Sequence, residues 1–160
     1  MNKILVCSYD ERLLPTKGTS GSVCWDLMCA EDITVQPGEV LKVGAGIKTY
    51  MPLGRGSKVY ARSSLPTKAH LMLANATAIF DADFRGEYIL QLYNYTSSPV
   101  SHPAYTRLAQ IEFFPYYRDS EKFGTEEIPK LEMLVDPDLY DNFAERFQSE
   151  RGAGGIGSTG

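Results

Sequence analysis

Short runs of branched and aromatic residues, interrupted by turn formers, recur along most of the chain and predict strands rather than helices. Met1 to Cys7 turns apolar at Ile4 and reads as a first strand. Ile33-Thr34-Val35 ends at Pro37-Gly38, and Val40 to Val43 follows. Gly46 to Tyr50 ends before Pro52-Leu53-Gly54, and Ser57 to Ala61 comes next. Tyr88 to Tyr93 and Arg107 to Phe114, closed by Pro115, complete the set. Strands of this length at near-regular spacing, with turn signals between them, predict an all-β protein of sandwich or jelly-roll type. One segment breaks the pattern. In Asp138 to Glu150, Leu139, Phe143 and Phe147 recur every fourth position behind acidic residues, which predicts one short helix.

Composition changes this picture little. The 160 residues suit a single domain, 43% hydrophobic and 22% charged, as for ordinary globular proteins. A net charge of −4 argues against wholesale binding of nucleic acid or anionic membrane, so an anionic ligand needs locally placed arginines. Cys7, Cys24 and Cys29 are odd in number and contain no C-x-x-C, which disfavours a disulfide framework or structural zinc. Cys24 and Cys29 fall on opposite faces of one strand and are not expected to pair. His70 and His102 lack companions at metal-ligand spacing and read as surface or turn residues. The apolar start is too short for a signal peptide, and no run is long enough to span a bilayer, so a cytoplasmic location is the default expectation.

The candidate chemistry begins at the end of the chain. Arg151-Gly-Ala-Gly-Gly-Ile-Gly-Ser-Thr-Gly160 holds five glycines beside an arginine and two hydroxyls. Such a segment forms neither helix nor packed strand, but its backbone N–H groups can approach an anion closely. It reads either as a flexible tail or as an arm over a phosphate, which divides the chain into a body, 1–150, and an arm, 151–160. In Val59 to Lys68, a strand ends in Arg62, Ser63, Ser64 and Lys68, a possible phosphate cradle or a solvated turn. In Asn75 to Glu87, an amide, Asp81, Asp83 and Phe84 sit on what reads as a hairpin. Asp83-Phe84-Arg85-Gly86 alone is equally well a turn with a solvated ion pair. A carboxylate able to activate water, beside an aromatic face and an amide, is nonetheless what nucleotide hydrolysis requires. Phe113-Phe114-Pro115-Tyr116-Tyr117 reads as core plus subunit interface, and Asp119 to Glu127 as a charged loop.

Taken in order, these segments resemble the trimeric dUTPase family, all-β enzymes that hydrolyse dUTP to dUMP and pyrophosphate. Ser22-Val23-Cys24-Trp25-Asp26-Leu27, Arg62-Ser63-Ser64-Leu65, Asn75 to Gly86, Arg107-Leu108-Ala109-Gln110 and the C-terminal glycine-rich run are similar to its five motifs, and the likeness runs from about Pro15 to Gly160. The resemblance implies a distorted jelly-roll protomer in a homotrimer, with each active site shared between chains and the arm closing over the phosphates. It implies that Asp81 is the general base activating the attacking water. Asn75, Ala78, Phe84 and Ile156 would bind the nucleoside, with Phe84 under the deoxyribose. Arg62, Ser63, Ser64, Gln110, Arg151, Gly154, Gly155, Ser158 and Thr159 would contact phosphates. Asp26 and Arg107 would serve site architecture. Mg²⁺ would be held mainly by the triphosphate and water, with Asp26 as an optional helper. The activity would lower dUTP and supply dUMP for thymidylate synthesis.

The chain also departs from the family pattern. Phe84 stands where tyrosine is usual, Cys24-Trp25 where glycine-tyrosine is usual, and Ala78 where glycine is usual. Ile156 replaces an aromatic of the arm, and Tyr105-Thr106 replaces a glycine-acid pair before the fourth motif. These changes touch the base pocket and the arm and leave Asp81, Asn75, Gln110 and Arg151 in place. Arg62 to Leu65 and Leu90 to Asn94 also look like segments of dCTP deaminases of the same fold. That chemistry uses a glutamate where this chain has Gln91, whose amide cannot shuttle protons. Two alternatives stay open: a hydrolase preferring another pyrimidine deoxynucleotide such as dCTP, and a nucleotide-switched binding protein.

Overall fold

A computed structural model describes residues 3–116 and 129–155. Of the readings above, Tyr117, Asp119 to Glu127, Ile156, Ser158 and Thr159 lie outside the described residues.

The first strand, β1 (Lys3–Ser8), is the centre of a three-stranded sheet. It pairs antiparallel with β5 (Ile47–Tyr50) and parallel with β12 (Lys130–Val135). The longest sheet has the order β2-β11-β6-β8. It comprises β2 (Trp25–Met28), β6 (Arg55–Ala61), β8 (Ala78–Phe80) and β11 (Arg107–Pro115). A third sheet, β4-β9-β7, joins Val40–Gly44, Ile89–Tyr93 and Met72–Leu73. A two-stranded ribbon pairs β3 (Ile33–Val35) with β10 (Val100–His102). The strands expected from the pattern are all present, and the protein is mostly β, consistent with the jelly-roll expectation.

The sheets enclose one main core that includes Val6, Leu27, Val43, Ile47, Val59, Leu90, Leu92 and Ile111. Alternation along β9 puts Leu90 and Leu92 in that core and leaves Ile89, Gln91 and Tyr93 on the opposite face. Tyr88, fully buried, ties two sheets together. Its hydroxyl is hydrogen-bonded to Thr49 Oγ1 (2.8 Å) on β5 and Ser57 Oγ (2.6 Å) on β6. Burial pushes its pKa up to about 12, because the interior disfavours a phenolate. The ring stacks on Phe80 at 3.8 Å between centroids, and Phe80 in turn packs on Phe84. A column of three rings thus runs from the core to the candidate site.

Three sequence expectations change. The single helix becomes two turns, α2 (Pro137–Asp141) and α3 (Phe143–Arg146), joined at Asn142. Asp136 caps α2 by accepting from Leu139 N–H, with Pro137 in the first turn. Helical structure stops at Phe147, whose carbonyl oxygen accepts instead from Arg85 Nε (2.8 Å). A further helical turn, α1 (Ser64–Thr67), follows β6 and was not expected. Nor is Asn75 to Gly86 a hairpin. Strand β7 pairs with β9 and β8 pairs with β6, so the loop between them crosses from one sheet to another. The three cysteines are free, as expected, and no helix among the described residues is long and apolar enough to cross a membrane.

Candidate active site

Asp81 leaves β8 at the point where the ring column reaches the surface, and its side chain is 56% exposed. The chain then turns, with Phe84 N–H donating to Asp81 O (3.2 Å), so that Phe84 is buried directly behind the carboxylate. Arg85 holds this turn. It is 5% exposed and has no carboxylate ion-pair partner among the described residues, contrary to the solvated ion pair allowed by the sequence. Its guanidinium donates to Ala82 O (2.6 Å), Phe84 O (2.9 Å) and Phe147 O (2.8 Å), and lies over the Tyr50 ring. Desolvation lowers its pKa, and three carbonyl dipoles replace the lost hydration. One arginine therefore fixes both the Asp81 turn and the end of α3.

That arrangement sets the path of the arm. Ser149 Oγ donates to Asp83 O (2.6 Å) and accepts from Gly152 N–H (2.9 Å). Gly152, at φ +58°, bridges Phe84, and its carbonyl accepts from Arg85 N–H (2.7 Å). The Arg151 guanidinium is then delivered to Asp81, with which it forms an ion pair. Its Nε donates to Gly154 O (3.0 Å), and the guanidinium lies 5.5 Å from the centre of the Phe84 ring. Gly86 is needed here for space, since a Cβ would lie 2.6 Å from Phe84 Cζ and 3.1 Å from Ala153 O.

Beside this cluster is a cavity of about 520 Å³. Asn75, Ala78, Phe84, Gln91, Arg151 and Gly155 are among the residues that line it. The Asn75 Oδ1 atom is buried and has no hydrogen-bond partner among the described residues. A second cavity, about 1230 Å³, opens on the other side of Asp81 and shares Ile79, Phe80 and Arg151 with the first. The structure therefore brings Asn75, Ala78, Asp81, Phe84, Arg151, Gly154 and Gly155 into one neighbourhood.

The remaining candidates form a separate cluster. Asp26 on β2 accepts from Arg62 Nε through Oδ1 (2.8 Å) and from Arg107 Nη1 through Oδ2 (3.4 Å). Arg62 also donates to Arg107 O (3.1 Å) and reaches Ser64 Oγ at 3.5 Å, next to Ser63. Gln110 Nε2 donates to Ala61 O (2.9 Å). Arg62, Ser64, Lys68 and Arg107 line a third cavity, which has no residue in common with the other two. Tyr105 flanks it at φ +67°, in the place where the family pattern has glycine. Its hydroxyl donates to Asp10 Oδ2 (3.0 Å) and its ring stacks under Arg12, contacts that hold the strained backbone. Of the two histidines, His70 is exposed and His102 Nε2 sits 3.0 Å from Ala69 O. Sequence reasoning missed Arg85 as the organiser of the turn and Gln91 as a cavity residue. Only the alternation of β9 pointed to the latter.

The geometry defines a mostly β protein with an exposed carboxylate paired to an arginine beside a partly polar cavity, and comparison with known proteins places it further. The dUTPase family model matches residues 10–136. A deoxyuridine 5'-triphosphate nucleotidohydrolase of Desulfitobacterium hafniense is 32% identical over 150 residues, covering 92% of this chain and 87% of that protein. The protein of the same name from Polynucleobacter necessarius is 32% identical over 166 residues, covering 100% of this chain and 99% of that protein. The crystal structure of dUTPase from Streptococcus mutans is similar with a TM-score of 0.67 and 31% identity, over 70% of this chain and 92% of that one. The chain belongs to the dUTPase family.

Proposed function

We propose that this protein hydrolyses dUTP to dUMP and pyrophosphate, acting as a homotrimer. The observation that carries this reading is the convergence of Asp81, Phe84 and Arg151 beside a cavity in which Asn75 Oδ1 has no partner. Asn75 accepts the N3–H of uracil and so satisfies an atom that is otherwise buried at a cost. The Phe84 face lies under the deoxyribose and leaves no room for a 2′-hydroxyl. Asp81 takes a proton from water as its oxygen bonds to the α-phosphorus. The bond from that phosphorus to the bridging oxygen breaks, and pyrophosphate leaves in line. Arg151 moves from Asp81 to the developing charge on the phosphates, with Gly154 and Gly155 bringing backbone N–H groups near.

Arg62, Ser63, Ser64 and Gln110 serve the same phosphates from another subunit. The separation of the two clusters within one chain supports this, as do Leu53 (64% exposed) and Ile79 (61%) on the rim of the Asp81 cavity, an apolar surface suited to a subunit contact. Asp26 positions Arg62 and Arg107. Both its carboxylate oxygens are engaged by these arginines, which makes it a poor metal ligand. Among the described residues no three His, Cys, Asp or Glu cluster to hold an ion. Mg²⁺ would be bound mainly through the triphosphate and water, where the ion would neutralise phosphate charge.

The direct test is pyrophosphate release with Mg²⁺ from dUTP and UTP. Rapid release from dUTP is expected, with UTP at least about 10²-fold poorer in kcat/KM. No release from dUTP by the full-length protein would overturn the reading in favour of a nucleotide-switched binding protein. Gly86→Ala probes the pocket by pressing on the Phe84 ring. Overpacking of about 1–3 kcal/mol is expected, with KM for dUTP raised about tenfold while Asp81 chemistry persists.

A further inference from the structure

Between Phe147 and Gly152 the chain is stitched to the turn that carries Asp81, and one side chain in that stretch has no role in the dUTP reading. Ser149 is half-buried, and its hydroxyl bridges the two segments. Its Oγ donates to Asp83 O (2.6 Å), just beyond the base, and accepts from Gly152 N–H (2.9 Å), next to Arg151. The polarity of both bonds is forced. A carbonyl only accepts and an amide N–H only donates, so the join needs one group that does both, which a hydroxyl provides. The bond from Gly152 closes a turn over Glu150 and Arg151, and a second turn follows, with Gly154 N–H donating to Arg151 O (3.2 Å). Arg151 thus projects from a backbone closed on both sides, and its guanidinium meets Asp81.

Apolar packing does little to hold this geometry. Among the described residues, a Cβ at Gly152 would meet nothing within 4 Å. Docking of the arm rests on the Ser149 bridge, on the bond from Arg85 N–H to Gly152 O (2.7 Å) and on the pair of Arg151 with Asp81. Of these, the Ser149 bridge is the one made by a side chain outside the catalytic set.

We propose that Ser149 is a positioning residue for the reaction: its hydroxyl holds the root of the arm on the Asp81 turn and so sets how often Arg151 stands at the site. This rests on the dUTP reading. Ser149 touches neither nucleotide nor attacking water in that reading and acts through Gly152 and Arg151. An arm that opens more often slows turnover more than it weakens substrate capture, because the charge it neutralises develops in the transition state. The same bridge governs docking in the nucleotide-free protein, where it shields the peptide bond after Arg151 from proteolysis.

The test measures pyrophosphate release from dUTP by the full chain, by Ser149→Ala and Ser149→Thr, and by Ser149→Ala in protein truncated after Glu150. Ser149→Ala is expected to lower kcat about tenfold, the scale of the two hydrogen bonds removed, with KM within about threefold of wild type. Ser149→Thr keeps the hydroxyl and should hold kcat within about threefold. In the truncated protein Ser149→Ala should change kcat/KM by less than about twofold, since the group it acts through is gone. An equal loss with and without the arm would mean that Ser149 only supports the Asp83 carbonyl, and overturns the proposal. Unchanged kcat in Ser149→Ala overturns it too, as does a loss in Ser149→Thr equal to that in Ser149→Ala. Docking is read separately, without nucleotide, as tryptic release of peptide 152–160 followed by mass spectrometry. Release should be about three- to tenfold faster in Ser149→Ala, following the population of the open arm, and an unchanged rate overturns the proposal. Absence of pyrophosphate release by the wild type removes the dUTP reading, while the tryptic comparison still decides whether Ser149 docks the arm.

Discussion

Asp81→Asn is expected to reduce kcat for pyrophosphate release from dUTP by about 10²–10⁴-fold, the usual contribution of a positioned general base. The substitution keeps the shape of the side chain and removes its capacity to accept a proton. It also weakens the ion pair with Arg151, but that pair is more than half exposed on the Asp81 side and contributes little to stability. The melting temperature should therefore stay close to that of the wild type. Binding of a non-hydrolysable dUTP analogue should change by no more than a few-fold, because the groups assigned to base, sugar and phosphates are untouched. The kinetic signature is an equal fall in kcat and kcat/KM, as for an interaction made only in the transition state. An Asp81→Asn protein within tenfold of wild-type turnover would show that another group activates the water.

Truncation after Glu150 is expected to lower kcat/KM for dUTP by at least about 10²-fold while leaving the fold and the proposed trimeric assembly unchanged. The deleted segment supplies Arg151, which pairs with Asp81, and Gly152, which bridges Phe84 and accepts from Arg85 N–H. Charge neutralisation and exclusion of water would both be lost. The described part of the arm contributes few buried apolar atoms, and Ser149 to Asp83 and Arg85 to Phe147 remain to hold the end of the body. Circular dichroism and sedimentation should thus report the same fold and the same oligomeric state as the wild type. Discrimination of dUTP from dUDP should shrink in parallel, as the proposed action of the arm on the terminal phosphates requires. Full activity in the truncated protein would exclude a closing role for residues 151–160.

Much of the architecture follows from local patterning. Apolar alternation and turn residues located the strands, because a pleated strand with one buried face writes a period of two into its sequence. Helical content was harder to place. Leu139, Phe143 and Phe147 do lie on one apolar face against Leu5 and Cys7, yet the helix breaks at Asn142 and ends where Arg85 captures the Phe147 carbonyl. No four-residue spacing records a hydrogen bond from a residue 62 positions upstream. The same holds for Asn75 to Gly86. Its turn residues were visible, but its two short strands pair in different sheets, which depends on β6 and β9 rather than on the segment itself.

By itself, then, the sequence determined the all-β class, the positions of most strands, the family and the residue types at the site. These are properties of side-chain chemistry and short-range order. Tertiary structure alone decided that Arg85 is buried as a clamp on three carbonyls, that Arg151 pairs with Asp81, and that Arg62, Arg107 and Asp26 form a separate cluster. It also decided that Gln91 faces the same cavity as Asn75. The physical reason is that each of these facts is a relation between residues far apart in the chain, fixed by sheet register and by the need to satisfy buried polar groups. A residue's chemistry is written at its own position, but its partner is set by the fold.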